Sequence, residues 1–135
     1  MKHFVLDANA VLDFLENGPA AEKVGRLLQD ASADQQPLLI SVANWGEVFY
    51  LSWQRVGEER ARQALAKLSR FAVSVVPVDL PQALKAGEIK ALHHIPYVDC
   101  LAAALAMLNQ STLVTADRDF EKLGRDFPVL WLAPR

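Results

Sequence analysis

The feature that most limits the fold of this 135-residue chain is the alternation of short apolar runs with longer segments of helical spacing. Runs of strand length lie at His3–Leu6, Pro37–Ile40, Val73–Val78, Thr112–Thr115 and Val129–Leu132. The intervening spacing predicts helices at Ala8–Glu16, Ala20–Ala31, Val42–Gln54, Glu58–Phe71, Leu80–His93, Pro96–Asn109 and Arg118–Arg125. Strands separated by helices indicate an α/β fold whose mostly parallel sheet is covered on both faces.

The length and composition favour one domain over residues 1–135. Hydrophobic residues make up 52% of the chain, which is ample for a core, and there is no repeat or convincing linker. No apolar run reaches the roughly 20 residues that a bilayer requires. Asp7 and Asp13 interrupt the N-terminal apolar stretch, so we do not expect a secretory signal. Cys100 is the only cysteine, so we expect a cytoplasmic protein with no internal disulfide and no membrane association.

The charge balance does not by itself indicate a nucleic-acid binder. The formal net charge is −2, whereas proteins that bind nucleic acid by charge are usually basic. If four acids were neutralised by divalent cations, the 14 basic residues would outnumber the remaining 12 acidic ones. A polyanionic substrate is therefore allowed, but binding by charge alone is not expected.

Two aspartates lie at predicted strand ends. Asp7 follows the first apolar run directly, and Asp117 lies two residues beyond Thr115. In parallel sheets, ligands bind outside the carboxyl ends of the strands. Either residue taken alone could equally be an ordinary helix N-cap, for which aspartate is common. We similarly expect Ser41 to cap the helix that begins at Val42.

Two further acids lie where a charge is costly. Asp99 is the only charged residue in VDCLAAALAML, a segment that is apolar on every helical face and is therefore expected to be buried. Glu47 lies among large apolar residues in VANWGEVFYLSW, and no basic residue shares its helical face. Without a bound cation, Asp99 would be a buried helix cap and Glu47 would form a distant salt bridge. A bound cation would also offset the cost of burying each charge.

Together the four carboxylates predict a divalent metal site. Carboxylates that lie close together repel one another, so they stay ionised together only when a cation is present. Oxygen ligands select hard ions such as Mg²⁺, Mn²⁺ or Ca²⁺. Asn9 and Thr115 carry short polar side chains that could orient Asp7 or Asp117. Asp119 either reaches the metal or caps the last helix.

Four segments of the chain resemble the PIN-domain ribonucleases, and among them the toxins of VapC type. They are VLDANAVLDFL at the start, ISVANWGEVFY around Glu47, YVDCLAAALA around Asp99 and LVTADRDFEKL around Asp117. No single segment is specific, but their order and spacing span essentially the whole chain. Asp-x-Asn near the N-terminus and T-x-D-x-D-F near the C-terminus are the most diagnostic.

The resemblance implies an α/β/α sandwich with a five-stranded parallel sheet. It implies an endoribonuclease that cleaves single-stranded or looped RNA, usually as a homodimer, and a cognate antitoxin protein that blocks the site. Asp7, Glu47, Asp99 and Asp117 map onto the family's acidic quartet, and no acid is missing.

The quartet suggests hydrolysis of RNA by metal-activated water. As a hypothesis, Asp7, Asp99 and Asp117 bind Mg²⁺ or Mn²⁺, while Glu47 completes the shell or accepts a proton from the attacking water. Products would then carry 5′-phosphate and 3′-hydroxyl ends. Arg118, between two of the acids, could contact a phosphate, although a solvated charge that balances the acids is an equal alternative.

Three alternatives use a similar fold. An aspartate-nucleophile phosphatase would need a second acid two residues after Asp7, where this chain has Asn9. A receiver-type phosphoacceptor domain would need adjacent acids after the first strand and a lysine after the last, which Leu6-Asp7 and Leu132-Ala133 do not supply. A non-catalytic PIN-fold interaction module remains, although the intact quartet speaks against it.

Overall fold

Five parallel strands form the centre of the molecule. The computed structural model describes residues 3–135. The strands are β1 (Phe4–Leu6), β2 (Leu38–Ser41), β3 (Val73–Val76), β4 (Thr112–Thr115) and β5 (Val129–Trp131). They form one sheet in the order β3-β2-β1-β4-β5, and every neighbouring pair is parallel. The expected five-stranded α/β architecture is confirmed.

Helices connect the strands and cover both faces of the sheet. They are α1 (Ala8–Leu15), α2 (Ala21–Ala33), α3 (Val42–Val56), α4 (Glu58–Leu68), α5 (Leu80–His93) and α6 (Tyr97–Leu108), followed by a 3₁₀ helix (Arg118–Leu123). Successive strand residues point to opposite faces. Leu6 and Val114 pack with α1 to α4 in one core, whereas Val5 and Leu113 pack with α5 and α6 in the other.

The strand order reverses at β1. The chain builds outward from β1 to β3, then returns to add β4 and β5 on the other side. The connection after β1 therefore runs towards one side of the sheet, and the connection after β4 runs towards the other side. This arrangement leaves a crevice at the ends of β1 and β4, which is where open α/β sheets bind ligands.

Helix α6 is the most deeply buried helix, as its apolar sequence predicts. Every residue from 100 to 106 is at most 6% exposed, and the helix packs on β1, β2 and β4. Within residues 3–135, no single helix is long and apolar enough to cross a membrane. Helices α5 and α6 meet that criterion only as a pair bent by 120°.

Some predicted boundaries and one predicted cap are wrong. Ser41 precedes α3, but its side chain does not cap the helix; its hydroxyl instead accepts an N–H of the buried Gln82 amide at 3.2 Å. Helix α4 ends at Leu68 rather than Phe71, because Phe71 leaves the helix to pack edge-on against Phe14. The last helix is 3₁₀ and stops before Gly124, whose φ of 90° suits glycine.

Candidate active site

Asp7 links the end of β1 to the start of α1. Its side chain is buried, and Oδ1 accepts the backbone N–H of Ala10 at 2.8 Å, so Asp7 does cap α1. The cap occupies only one oxygen, because Oδ2 accepts the hydroxyl of Thr115 at 2.5 Å. Burial raises the pKa of Asp7 to about 6, and the charges of Asp117 and Glu47 add to the rise, while the two hydrogen bonds oppose it.

Thr115, the last residue of β4, connects two of the acids. It is fully buried, and its Oγ1 accepts the backbone N–H of Asp117 at 2.9 Å while donating to Asp7. The register places Leu6 beside Val114, so Asp7 and Thr115 follow at the same level of neighbouring strands. Thr115 thus holds Asp7 and the backbone of Asp117 in one hydrogen-bonded chain.

Asp117 precedes the 3₁₀ helix and caps it. Its Oδ1 accepts the backbone N–H of Asp119 at 2.9 Å. The alternative in which Asp119 caps this helix is therefore wrong, because the capping oxygen belongs to Asp117. Asp119 is exposed, yet its charge is one of those that raise the pKa of Asp99.

Asp99 shows most clearly that the acids lie close together. It lies in the first turn of α6 and is partly buried. Its pKa is raised to about 7, first by burial and then by the charges of Asp117, Asp7, Glu47 and Asp119 in turn. The charges of four other carboxylates act on Asp99, so these acids belong to one acidic pocket.

Glu47 enters the pocket from α3. It is half-buried, and burial raises its pKa, while Asn44 and Tyr50 oppose the rise. The Tyr50 hydroxyl donates to Oε2 over 3.5 Å. Asn44 is fully buried one helical turn before Glu47, and neither atom of its amide has a hydrogen-bond partner among the described residues. The Asn44 amide lies near enough to oppose the rise in the pKa of Glu47, but it is not in hydrogen-bonding geometry with that carboxylate.

None of the four carboxylates is neutralised by a basic side chain within residues 3–135. The ion pairs in that range use Asp13, Glu16, Glu22, Glu58, Glu88 and Glu121 instead. The distant salt bridge that was the alternative for Glu47 is therefore not found there. The pocket concentrates negative charge that only protonation or a bound cation can relieve.

The residues fit a hard divalent cation by their chemistry. All four donors are carboxylate oxygens, which Mg²⁺ and Mn²⁺ prefer. Among the described residues, however, no group of three aspartate, glutamate, histidine or cysteine side chains is close enough together to hold an ion. The acids thus interact through charge without converging on one point, as expected for mutually repelling groups.

The remaining predicted residues lie at the rim. Asn9 is exposed and makes no side-chain hydrogen bond to any residue that the structure describes, so the orienting role predicted for it finds no contact in support. It lines a cleft of about 250 Å³ together with Asp117 and Arg135. Arg118 points away from its acidic neighbours: its guanidinium lies over the ring of Trp131 and pairs with Glu121.

Sequence reasoning missed Asn44 and Tyr50 as parts of the site. Both lie on the helical face of Glu47, at three residues' spacing on either side. An asparagine on the buried side of an otherwise apolar helix was the available signal, since such an amide needs a polar environment. Tyr50 gave no such signal, because tyrosine is common on partly exposed helix faces.

The chain resembles known proteins in sequence and in fold. A model of the PIN domain matches residues 4–126. Ribonuclease VapC from Mycolicibacterium smegmatis is 31% identical over 117 residues, covering 82% of this chain and 88% of that protein.

Solved structures with the same fold include several from toxin–antitoxin pairs. VapBC2 from Rickettsia felis, solved bound to a promoter DNA fragment, superposes with a TM-score of 0.75 at 18% identity, covering 96% of this chain and 98% of that one. VapC20 from Mycobacterium tuberculosis, described as a toxin that cleaves the sarcin-ricin loop, gives 0.71 at 20% identity, covering 90% and 95%. Identities this low establish the fold alone, but the family match and the curated relative go further: the chain belongs to the PIN-domain family, among the proteins of VapC type.

Proposed function

We propose that this protein is a metal-dependent endoribonuclease and the toxin of a type II toxin–antitoxin pair. The observation that carries the proposal is the gathering of Asp7, Glu47, Asp99 and Asp117 at one sheet edge with no basic partner in residues 3–135. The related protein from Mycolicibacterium smegmatis is named as a ribonuclease. The exposed Asn9, in the position where a phosphatase of the aspartate-nucleophile class needs an acid, makes that alternative weaker.

Asp7, Asp99 and Asp117 would hold Mg²⁺ or Mn²⁺. When bound, the ion supplies positive charge that acidifies a water molecule and stabilises the phosphoryl oxygens. Thr115 fixes Asp7, whereas the partly buried Asp99 makes no side-chain hydrogen bond within the described residues and is free to rotate towards it.

Glu47 is the candidate proton acceptor for the attacking water. Its raised pKa brings it closer to the range in which a base works at neutral pH. Tyr50 lies at the exposed side of Glu47 and limits its rotation. Hydrolysis in which the 3′ oxygen leaves would give 5′-phosphate and 3′-hydroxyl ends, because no 2′-hydroxyl attack is involved.

The test is cleavage of single-stranded RNA by the purified protein. We expect cleavage with Mn²⁺ or Mg²⁺, loss of cleavage with EDTA, and loss in Asp7→Asn. Asp30→Asn is the matched control, because Asp30 is an exposed acid on α2 outside the site. Cleavage that persists in EDTA, full activity of Asp7→Asn, or 2′,3′-cyclic phosphate ends would contradict the proposal.

The partners that we propose are a cognate antitoxin and a second copy of the chain. Several structures of this fold are toxin–antitoxin complexes. On α5, Leu80, Leu84 and Leu92 are 65–70% exposed and lie at helical spacing, forming an apolar stripe that Glu88 interrupts between Leu84 and Leu92. A homodimer that covers the stripe should become monomeric in Leu84→Glu, as measured by light scattering. A dimer that survives this change would place the interface elsewhere.

A further inference from the structure

A second cleft, here called the β5 cleft, lies beside the acidic pocket. It measures about 620 Å³, within the range of roughly 300–1,000 Å³ that is typical of ligand sites. Arg118, Glu121, Arg125, Phe127 and Trp131 are among its lining residues. Arg118 directly follows the site residue Asp117 in the chain, so the segment after β4 contributes to both the cleft and the acidic pocket. Neither the proposed chemistry nor the fold requires two arginines and a tryptophan here.

The sheet places Trp131 in the same row as the acids. Leu6 pairs with Val114 and Val114 with Leu130, so the next residues along the three strands are Asp7, Thr115 and Trp131. All three side chains lie on the face that α6 covers, since Trp131 packs against the core of α5 and α6. With neighbouring strands about 4.8 Å apart, Trp131 lies two strand spacings from Asp7. A base can lie that far from the phosphate of the neighbouring nucleotide, because the sugar separates the base from the backbone.

The Arg118 guanidinium forms a flat surface together with Trp131. Its central carbon lies 4.2 Å from the centre of the indole ring. The side chain also pairs with Glu121 at 3.3 Å, but the two side chains are 62% and 58% exposed, so the pair is easily exchanged. Phe120 and Phe127 are both buried and stack on each other at the base of the cleft. The cleft therefore offers a mobile cation on a fixed aromatic surface.

We propose that the β5 cleft binds one unpaired nucleotide of the RNA, next to the phosphate that is cleaved. The base packs on the surface formed by Arg118 and Trp131, and the phosphates contact Arg118 and Arg125. Stacking on aromatic rings and on guanidinium planes is the usual way in which proteins hold splayed bases. This inference rests on the proposed function and adds where the substrate binds. It also gives a chain with a net charge of −2 two cationic contacts for a polyanion, since Arg118 and Arg125 line the cleft.

The first test measures RNA binding without cleavage. The protein carries Asp7→Asn, and the probe is a fluorescein-labelled, mixed-sequence single-stranded RNA of about 12 nucleotides. We expect Trp131→Leu and Arg118→Ala each to weaken binding about fivefold or more, and Arg118→Ala also to make the salt dependence shallower. Arg26→Ala is the matched control, because Arg26 is 66% exposed and pairs with Glu22 on α2 in the same manner. Affinity that is unchanged in both cleft variants would overturn the proposal, even if a peptide bound there.

The second test separates stacking from a merely structural role of Trp131. Trp131→Phe keeps an aromatic surface and should recover most of the affinity lost in Trp131→Leu. With Trp45 and Trp53 replaced by Phe, Trp131 is the only tryptophan, and its fluorescence should be quenched when the RNA probe binds. Equal losses in Trp131→Phe and Trp131→Leu, or no quenching at saturation, would contradict base stacking.

The two proposals fail in different ways. If the chain binds RNA in the β5 cleft but does not cleave it, Trp131 fluorescence responds while no metal-dependent products form. If it is a ribonuclease that holds its substrate elsewhere, the wild type cleaves while the cleft variants bind and cleave normally. The second result would remove the cleft from the site and leave the nuclease assignment intact.

Discussion

Thr115 donates its hydroxyl hydrogen to Asp7, and the same hydroxyl oxygen accepts the backbone N–H of Asp117. One buried side chain thus joins the ends of β1 and β4 to the loop that follows β4. This contact is the only hydrogen bond in the described residues that links side chains of the two strands. It makes the position of Asp7 depend on a residue 108 positions away in the sequence.

Thr115→Val should lower activity while leaving the fold intact. Valine keeps the shape of threonine but removes the donor to Asp7, so the pKa of Asp7 should rise further, and its affinity for metal should fall. Groups that orient a metal ligand typically contribute about 10–100-fold. Thr112→Val, at the other end of the same strand, is the control and should cleave RNA normally. Equal activity of the two variants in a cleavage assay would show that the contact is not functional.

The stability of the metal-free protein should fall as the pH rises from about 4 to about 7. Burial raises the folded-state pKa of Asp7 to about 6 and that of Asp99 to about 7, so the folded state binds more protons than the unfolded state over this interval. The loss is complete above both folded values and absent below the unfolded value near 3.8. For the buried Asp7 it is on the order of 2–3 kcal/mol. Urea denaturation across this range should show the wild type losing stability relative to Asp7→Asn, and a constant difference would argue against ionisation as the cause.

Much of this site follows from sequence, because its main acids lie next to secondary-structure ends. Asp7 follows β1 directly, and Asp99 is the only charge on a buried helix, so both positions could be predicted from the local sequence pattern. Details that depend on tertiary contacts could not be predicted in this way. The hydroxyl of Ser41 contacts Gln82, 41 residues away, rather than capping α3. The orientation of Arg118 over Trp131 likewise depends on β5 pairing with β4, which no local pattern encodes.

Divalent cations should raise the melting temperature of the protein at pH 8. A ligand that binds only the folded state at a hundred times its dissociation constant stabilises by about 2.7 kcal/mol, or several degrees for a chain of this size. Asp99→Asn should lose most of the gain, because it removes one of the carboxylates that we propose to hold the ion. Asp30→Asn should keep the gain. A shift of the same size in both variants, measured by differential scanning fluorimetry with MnCl₂, would place the ion elsewhere.

Asn44→Leu should stabilise the fold and weaken cleavage. Both polar atoms of the Asn44 amide are buried without a partner in the described residues, and an unsatisfied polar group costs about 1–3 kcal/mol. Leucine has the same branching as asparagine, although its methyl groups are larger, and it removes that cost. The amide also helps to keep the pKa of Glu47 from rising further, so its loss should shift the lower limb of the pH–rate profile upward. Lower stability would show instead that Asn44 has a partner, such as water, in solution.

Gly18→Ala should destabilise the protein through a collision rather than through backbone strain. Gly18 has no left-handed backbone conformation, but a Cβ there would meet the carboxylate of Asp13. Asp13 is buried, accepts the N–H of Ala20 at 2.6 Å and pairs with Arg135 at 3.1 Å, so it cannot move without loss. Overpacking of this kind costs about 1–3 kcal/mol.

Gly87→Ala provides the opposite case for the same substitution. Gly87 lies within α5 with open space around its Cα, so a methyl group there should stabilise by about 0.5–1 kcal/mol. Urea denaturation of the two variants should therefore give changes of opposite sign.

In an Asp13→Ala background the collision at residue 18 disappears, and Gly18→Ala should cost much less than it does in the wild type. Additive losses in this double-mutant cycle would mean that Gly18 is required for a reason other than its contact with Asp13.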